Sequence, residues 1–200
     1  MTTSFFVPYL DEFTSALQQL KGFAHHQSLE DVLAGLVTLR TQGGRLAVLG
    51  VGGSASNASH FTGDLRKLAK IEAYCPTDNV SEITARTNDE GFDTIFVEWL
   101  RTGKWSPLDA VFILSVGGGS VNPIVSSNIV KAVDWCRDSH VKVYGIVGRA
   151  TGHTGLYADS VIILPAVERD MLTPFAEAMQ SVICHALVSH PALKMSATKW

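Results

Sequence analysis

The stretch Leu46-Ala47-Val48-Leu49-Gly50-Val51-Gly52-Gly53-Ser54-Ala55-Ser56-Asn57 decides the fold. Four apolar residues run without alternation, and three glycines then fall within four positions, followed by serines. Continuous apolarity marks a strand covered on both faces, as in a parallel sheet. Glycines directly behind it let the backbone turn and approach a ligand closely. A helical pattern over Asn57–Ala69 follows, so the unit reads strand, loop, helix. A helix N-terminus carries free N–H groups and a partial positive charge, which suits an anion. The competing reading is a tight turn with ordinary N-caps.

The pattern extends outward. Apolar runs at Leu46–Leu49, Ala110–Leu114, Val141–Val147 and Ser160–Leu164 read as four buried strands. Helical patterns at Asn57–Ala69, Pro123–Ser139 and Pro174–Ser189 lie between and after them. The alternation predicts an α/β fold, a three-layer αβα sandwich around a mostly parallel sheet. Ahead of the first strand, Tyr9, Phe13, Leu17 and Leu20 recur at helical spacing, as do Leu29, Val32, Leu33, Leu36 and Leu39. These are two amphipathic helices, the second ended by Gly43-Gly44. A lead-in of about 42 residues either caps the sheet or packs against another subunit. Val80–Ala85 and Asp93–Leu100 also read as helical. The polar turn Asn88-Asp89-Glu90-Gly91 between them is a binding loop or a solvated turn.

Composition bounds the class. Two hundred residues suit one domain spanning 1–200. A hydrophobic share of 46% with 18% charged residues excludes a disordered chain. Sixteen basic against 19 acidic residues give a net charge of −3, which argues against a nucleic-acid partner. No uninterrupted apolar run has the ~18 residues of a membrane helix. The first eight residues, Met1 to Pro8, lack the basic start of a signal peptide. Cys75, Cys136 and Cys184 are odd in number and widely spaced. They read as reduced, buried thiols of a cytoplasmic protein.

A second loop, Ser115-Val116-Gly117-Gly118-Gly119-Ser120, also follows a buried strand. It bears on the ligand. Gly50, Gly52 and Ala55 match G-x-G-x-x-A, and Glu72 lies 22 positions after Gly50. That combination fits a dinucleotide site. Two equivalent loops instead converge on one compact anion at the carboxyl edge of the sheet. Gly52, Gly53 and Ser54 would meet it from one side, and Ser115, Gly117, Gly118, Gly119 and Ser120 from the other.

His60 and Asp64 stand one turn apart on the helix after the first loop. An imidazole and a carboxylate so placed can hold a divalent ion such as zinc, act as an acid–base pair, or serve structure alone. Glu177 and His185 are eight apart on the last helix, about 80° past two full turns, with Gln180 and Cys184 nearby. His25 and His26 fall at the end of the first helix and read as solvated, and His190, before Pro191, as structural. His153, in the loop Thr151–Gly155, could reach a ligand.

These residues together resemble the phosphoheptose isomerase branch of the sugar isomerase (SIS) domain proteins. The resemblance runs from the N-terminal helices to about residue 190. Gly50–Ser54 resembles the family's GNGGS segment, and His60-Phe61-Thr62-Gly63-Asp64 its His-Phe-x-x-Glu helix. Asn88–Phe92 resembles its Asn-Asp-x-Gly-Phe loop, Ser115–Ser120 its STSGNS loop, and Glu177–His185 its last helix. The resemblance implies a ketose–aldose isomerase acting on sedoheptulose 7-phosphate through an enediol, a homotetramer with zinc or another divalent cation. It implies that Ser54, Ser115 and Ser120 hold the phosphate. His60, Asp64, Glu177 and His185 become the metal set, with Asp64 and His185 catalytic, and Asp89 lines the sugar site. The chain departs from the pattern at Val51, Gly117 and Gly119, where the family has polar side chains. It departs also at Asp64 for Glu and Glu177 for Gln. Phosphate binding would then rest on backbone N–H groups and serines more than on a basic patch. Two other readings stay open, a non-catalytic module of the same fold that binds a sugar phosphate or a protein, and the dinucleotide-binding protein.

Overall fold

The structure, a computed structural model, describes residues 4–199; Met1–Thr3 and Trp200 lie outside them. Five parallel strands form the central sheet: β1 (Arg45–Gly50), β2 (Glu72–Tyr74), β3 (Ala110–Ser115), β6 (Lys142–Val147) and β7 (Ser160–Ile163). A separate antiparallel hairpin, β4 (Ser120–Val121) and β5 (Ile124–Val125), follows β3. The sheet order is β2-β1-β3-β6-β7. Chain direction across the sheet therefore reverses between β1 and β3. In such sheets the crevice for ligands opens at the carboxyl ends of the two strands flanking the reversal. Both glycine-rich loops leave the sheet there.

The unbroken apolarity of the strands has a direct cause. On β1, Leu46 and Val48 join one core cluster, and Ala47 and Leu49 the other. On β3, Ala110, Phe112 and Leu114 face the first, and Val111 and Ile113 the second. Alternate side chains point to opposite faces, so a sheet covered twice needs apolar residues at every position. The first cluster is completed by α2 (Phe23–Gln42), α3 (Gly53–Asp64) and α8 (Leu172–Ser189), and the second by α5 (Ile95–Thr102) and α6 (Ser127–Asp138).

The lead-in helices cap the first face. Val32, Leu36 and Leu39 of α2 are buried against the sheet, and Gly43 ends the helix in the left-handed conformation at φ 72°. On α1 (Phe6–Gln19), the rings of Tyr9 and Phe13 stand 4.9 and 5.1 Å from Phe175 of α8, while Phe5, Phe6, Val7 and Leu10 around its start are exposed.

Several boundaries differ from the sequence reading. His25 and His26 begin α2 rather than end α1, because the chain turns at Lys21-Gly22. β2 went unread because it is three residues long and buries only Ala73. Residues 120–125 form the hairpin, so α6 begins at Ser127; Val121, Ile124 and Val125 are apolar but exposed. α8 begins at Leu172, with Pro174 in the first turn where an N–H is not required. Arg169–Ser189 is long and apolar enough by composition alone to cross a membrane, which the run-length reading did not expect. Its apolar residues Phe175, Met179, Ile183 and Leu187 are buried in the first core cluster. After α3 the helix widens into a π turn, Leu65–Ala69, and the Leu68 carbonyl accepts the N–H groups of Met195 and Ser196.

Candidate active site

A cleft of about 760 Å³ opens at the predicted edge, between the two loops and the start of α8. It is lined by Ser54 from the first loop and Ser115, Gly117, Gly119 and Ser120 from the second. Gly52, Gly53 and Gly118 belong to the same loops without being among its lining residues.

The second loop is held from behind. Gly118 and Gly119 adopt φ of 74° and 79°, where only glycine is unstrained. The Gly118 N–H donates to Ser115 Oγ at 3.0 Å. Its carbonyl accepts the backbone N–H and the hydroxyl of Thr154, and the Gly119 carbonyl accepts the His153 N–H. Gly152 packs so tightly that a Cβ there would stand 2.0 Å from the Gly117 oxygen. The N–H groups of Gly117 and Gly119 keep no acceptor among the described residues. That is the donor pattern an anion needs.

The first loop is stitched to α8. Buried Ser54 donates its hydroxyl to Gln180 Oε1 at 3.0 Å. Asn57 donates to the same oxygen at 3.2 Å and to the Glu177 carbonyl at 2.8 Å. The Ser54 hydroxyl thus serves the α3–α8 contact. The sequence reading had given it to the phosphate.

Further along the same two helices, three of the four expected metal ligands meet. His60 Nε2 and His185 Nε2 are 3.0 Å apart, and Asp64 Oδ2 lies 3.4 Å from the first and 3.7 Å from the second. Ligand atoms around a tetrahedral zinc at bonds of about 2.05 Å are separated by about 3.3 Å. The donor set therefore fits a divalent ion with a fourth position free. His60 and His185 remain 62% and 52% exposed at the side chain, so that position is open. Cys184, next in the chain, is buried and stands outside this group; burial pushes its thiol far above its ordinary value, and Asp64 adds to this.

Glu177 does not join them. Eight residues of helix rise about 12 Å, and its carboxylate turns into the cleft against Gly53. A Cβ at Gly53 would stand 2.2 Å from Glu177 Oε2. Asp89, at the exposed end of α4 (Val80–Asp89), accepts from Asn88 at 2.7 Å and is not among the lining residues. His153, the first residue of α7 (His153–Tyr157), also turns away, with Nε2 at 2.7 Å from Asp134 and its ring against Tyr157. His190 ends α8, its Nδ1 accepting from Ala192. Glu72 pairs in register with Arg45, at the amino end of the sheet opposite the loops. It cannot reach a ribose at the carboxyl edge, which removes the dinucleotide reading.

The sequence reading missed Arg149, Thr151, Arg169 and Thr173, which all line the cleft. It expects the anion to rest on backbone N–H groups and serines more than on a basic patch. The available signal was position: Arg149 follows a strand end two residues after Val147, as both loops do.

No protein-family model matches the chain. A phosphoheptose isomerase of Rhodospirillum rubrum is 31% identical over 160 residues, 77% of this chain and 79% of that protein. A phosphoheptose isomerase of Helicobacter pylori is 28% identical over 86% of this chain and 94% of its own length. The lincomycin biosynthesis protein LmbN of Streptomyces lincolnensis is 35% identical over 156 residues, and there the match spans only 56% of the relative. The solved phosphoheptose isomerase of Neisseria gonorrhoeae superposes with a TM-score of 0.79 over 92% of this chain and 95% of its own, at 21% identity, and so shares the fold. With the sheet order, the paired loops and these relatives in agreement, the chain belongs to the phosphoheptose isomerase family of sugar isomerase domain proteins.

Proposed function

We propose that the protein interconverts a phosphorylated ketose and its aldose, with sedoheptulose 7-phosphate and D-glycero-D-manno-heptose 7-phosphate as the pair. The observation that carries this reading is the placement of two features on one rigid helix. α3 begins at the first glycine-rich loop and carries, farther along, His60 and Asp64, which meet His185 of α8. A phosphate at the loops directs the rest of an extended sugar along α3 toward the triad.

His60, Asp64 and His185 would hold the ion, which we take as zinc. When bound, the ion supplies polarisation of the sugar carbonyl and stabilises negative charge developing on its oxygen. Nε2 of each histidine has one lone pair, so a histidine that holds the ion does not also transfer a proton there. Asp64 has two oxygens. With Oδ2 toward the histidines, Oδ1 takes the proton from the carbon beside the carbonyl and returns it to the neighbouring carbon. The hydroxyl proton passes to the former carbonyl oxygen through water, which the half-exposed imidazoles admit. Ser115 shapes the phosphate loop through Gly118, and Ser120 borders the phosphate. Asp64 is one methylene shorter than the family's Glu, which draws the substrate closer to α3.

Assembly as a homotetramer in the cytoplasm, with the whole chain as one domain, belongs to the same proposal. The exposed apolar side chains Phe5, Phe6, Val7 and Leu10 support a subunit contact, and one sheet shared by both core clusters supports the single domain. The test is incubation with zinc and sedoheptulose 7-phosphate, followed by NMR. The aldose signal is expected, and its loss in Asp64→Asn. Absence of turnover by the zinc-loaded wild type would overturn the proposal and favour a binding module.

A further inference from the structure

We propose that Arg149 and Arg169 grip the phosphate of the substrate and set the preference for a dianionic ligand. This rests on the sugar-phosphate reading above and adds a charged subsite to it. The chain has eight arginines. Six are engaged within it. Arg45 pairs with Asp109, Arg86 with Glu82 and Glu90, and Arg101 with Glu98. Arg40 and Arg66 donate to backbone carbonyls, and Arg137 lies beside Asp134 and over the Tyr157 ring. Arg149 and Arg169 alone make no side-chain hydrogen bond or ion pair among the described residues, and both line the same cleft.

Their placement is built rather than incidental. Gly148 donates to the Val116 carbonyl at 2.9 Å, and Gly152 abuts Gly117, so Arg149 is anchored on both sides to the phosphate loop. A Cβ at Gly148 would also stand 3.3 Å from Leu172 Cδ1. That contact brings the start of α8, and the single 3-10 turn Arg169–Met171 ahead of it, to the same corner. Two arginines thus line the cleft beside a loop whose Gly117 and Gly119 N–H groups are free. A sugar phosphate carries close to two negative charges at neutral pH, and guanidinium forks match phosphate oxygens in pairs. Glu177 lines the cleft as well, against Gly53, and its like charge keeps the phosphate at the arginine end.

The test uses the intact zinc-loaded protein and reads two quantities. Inorganic phosphate binding is measured by calorimetry for wild type, Arg149→Ala, Arg169→Ala, the double variant and both lysine replacements. Isomerase kinetics with sedoheptulose 7-phosphate are measured on the same set. Each alanine variant is expected to lose about 10- to 100-fold in phosphate affinity. KM is expected to rise by a similar factor while metal content stays unchanged. Lysine should restore part of the affinity, since charge returns without the fork. Unchanged phosphate affinity and KM in the double variant, or no phosphate binding by the wild type, would overturn the subsite. Arginine-dependent phosphate binding without turnover would uphold the subsite and refute the isomerase reading instead.

Discussion

Replacing Gly152 by alanine tests whether the position of the second loop sets activity. Gly152 has φ −67° and ψ 157°, a conformation any residue adopts, so backbone strain does not enter. The added methyl would stand 2.0 Å from the Gly117 oxygen, against 3.4 Å for ordinary contact. The loop, the segment around Gly152, or both must therefore yield by about 1.4 Å in total, and a displacement near 1 Å costs about 100-fold in rate. Overpacking of this kind destabilises by about 1–3 kcal/mol, which for a chain this long lowers Tm by roughly 2–12 °C. The expected result is a protein that folds, retains its metal, and loses about 100-fold in kcat/KM. Gly117→Ala is the control for folding, because nothing lies within 4 Å of its Cβ position and its φ is ordinary. It should melt like the wild type. A Gly152→Ala protein with wild-type kcat/KM would refute the claim that this loop holds the reacting substrate in place.

Other outcomes follow from the same geometry. His60→Ala and His185→Ala should each reduce bound zinc measured by atomic absorption, whereas Glu177→Gln should leave it unchanged, since Glu177 lies outside the triad. Burial pushes the Asp109 carboxyl up, but hydrogen bonds from Arg45 and Ser106 outweigh it and hold the pKa below the usual carboxylate value. A depressed pKa contributes stability that is complete above the unfolded value, about 3.9, and is lost as pH falls through the folded one. Asp109→Asn should therefore lower Tm at pH 7 and flatten its decline below about pH 4. The Cys136 thiol is pushed up to about 12 by burial and the charge of Asp159, so it should resist alkylation at pH 8 until the chain is unfolded.

Four of the five strands of the sheet and both loops were legible in the sequence because each has a local cause. A doubly covered strand must be apolar at every position, and a turn that admits φ near 75° must be glycine. The triad was legible in part. His60 and Asp64 are neighbours on one helix, but the approach of His185 depends on how α8 lies against α3, which the buried Ser54–Gln180 contact and the partly buried Asn57–Gln180 contact set. Glu177 was misassigned for the same reason: its rise along the helix was not weighed against the ligand distance. Arg149 and Arg169 were missed because nothing local distinguishes an arginine that meets a cleft from one that meets a carboxylate. The hairpin after β3 carries apolar residues that mimic the start of a helix, although Val121 and Ile124 are exposed.

The division of the core into two clusters has a consequence for how such a protein can change. His60, Asp64, Gln180 and His185 all ride on α3 and α8, which pack in the first cluster; α5 and α6 fill the second. Effects of substitutions well separated in space add nearly independently. Residues such as Ile95 and Phe96 of α5 are therefore open to repacking for thermal robustness without moving the triad, whereas Ile129 and Val130 of α6 border Gly119 of the second loop. Drift and laboratory selection alike should accumulate faster on that face, leaving the other as the slowly changing half of the molecule.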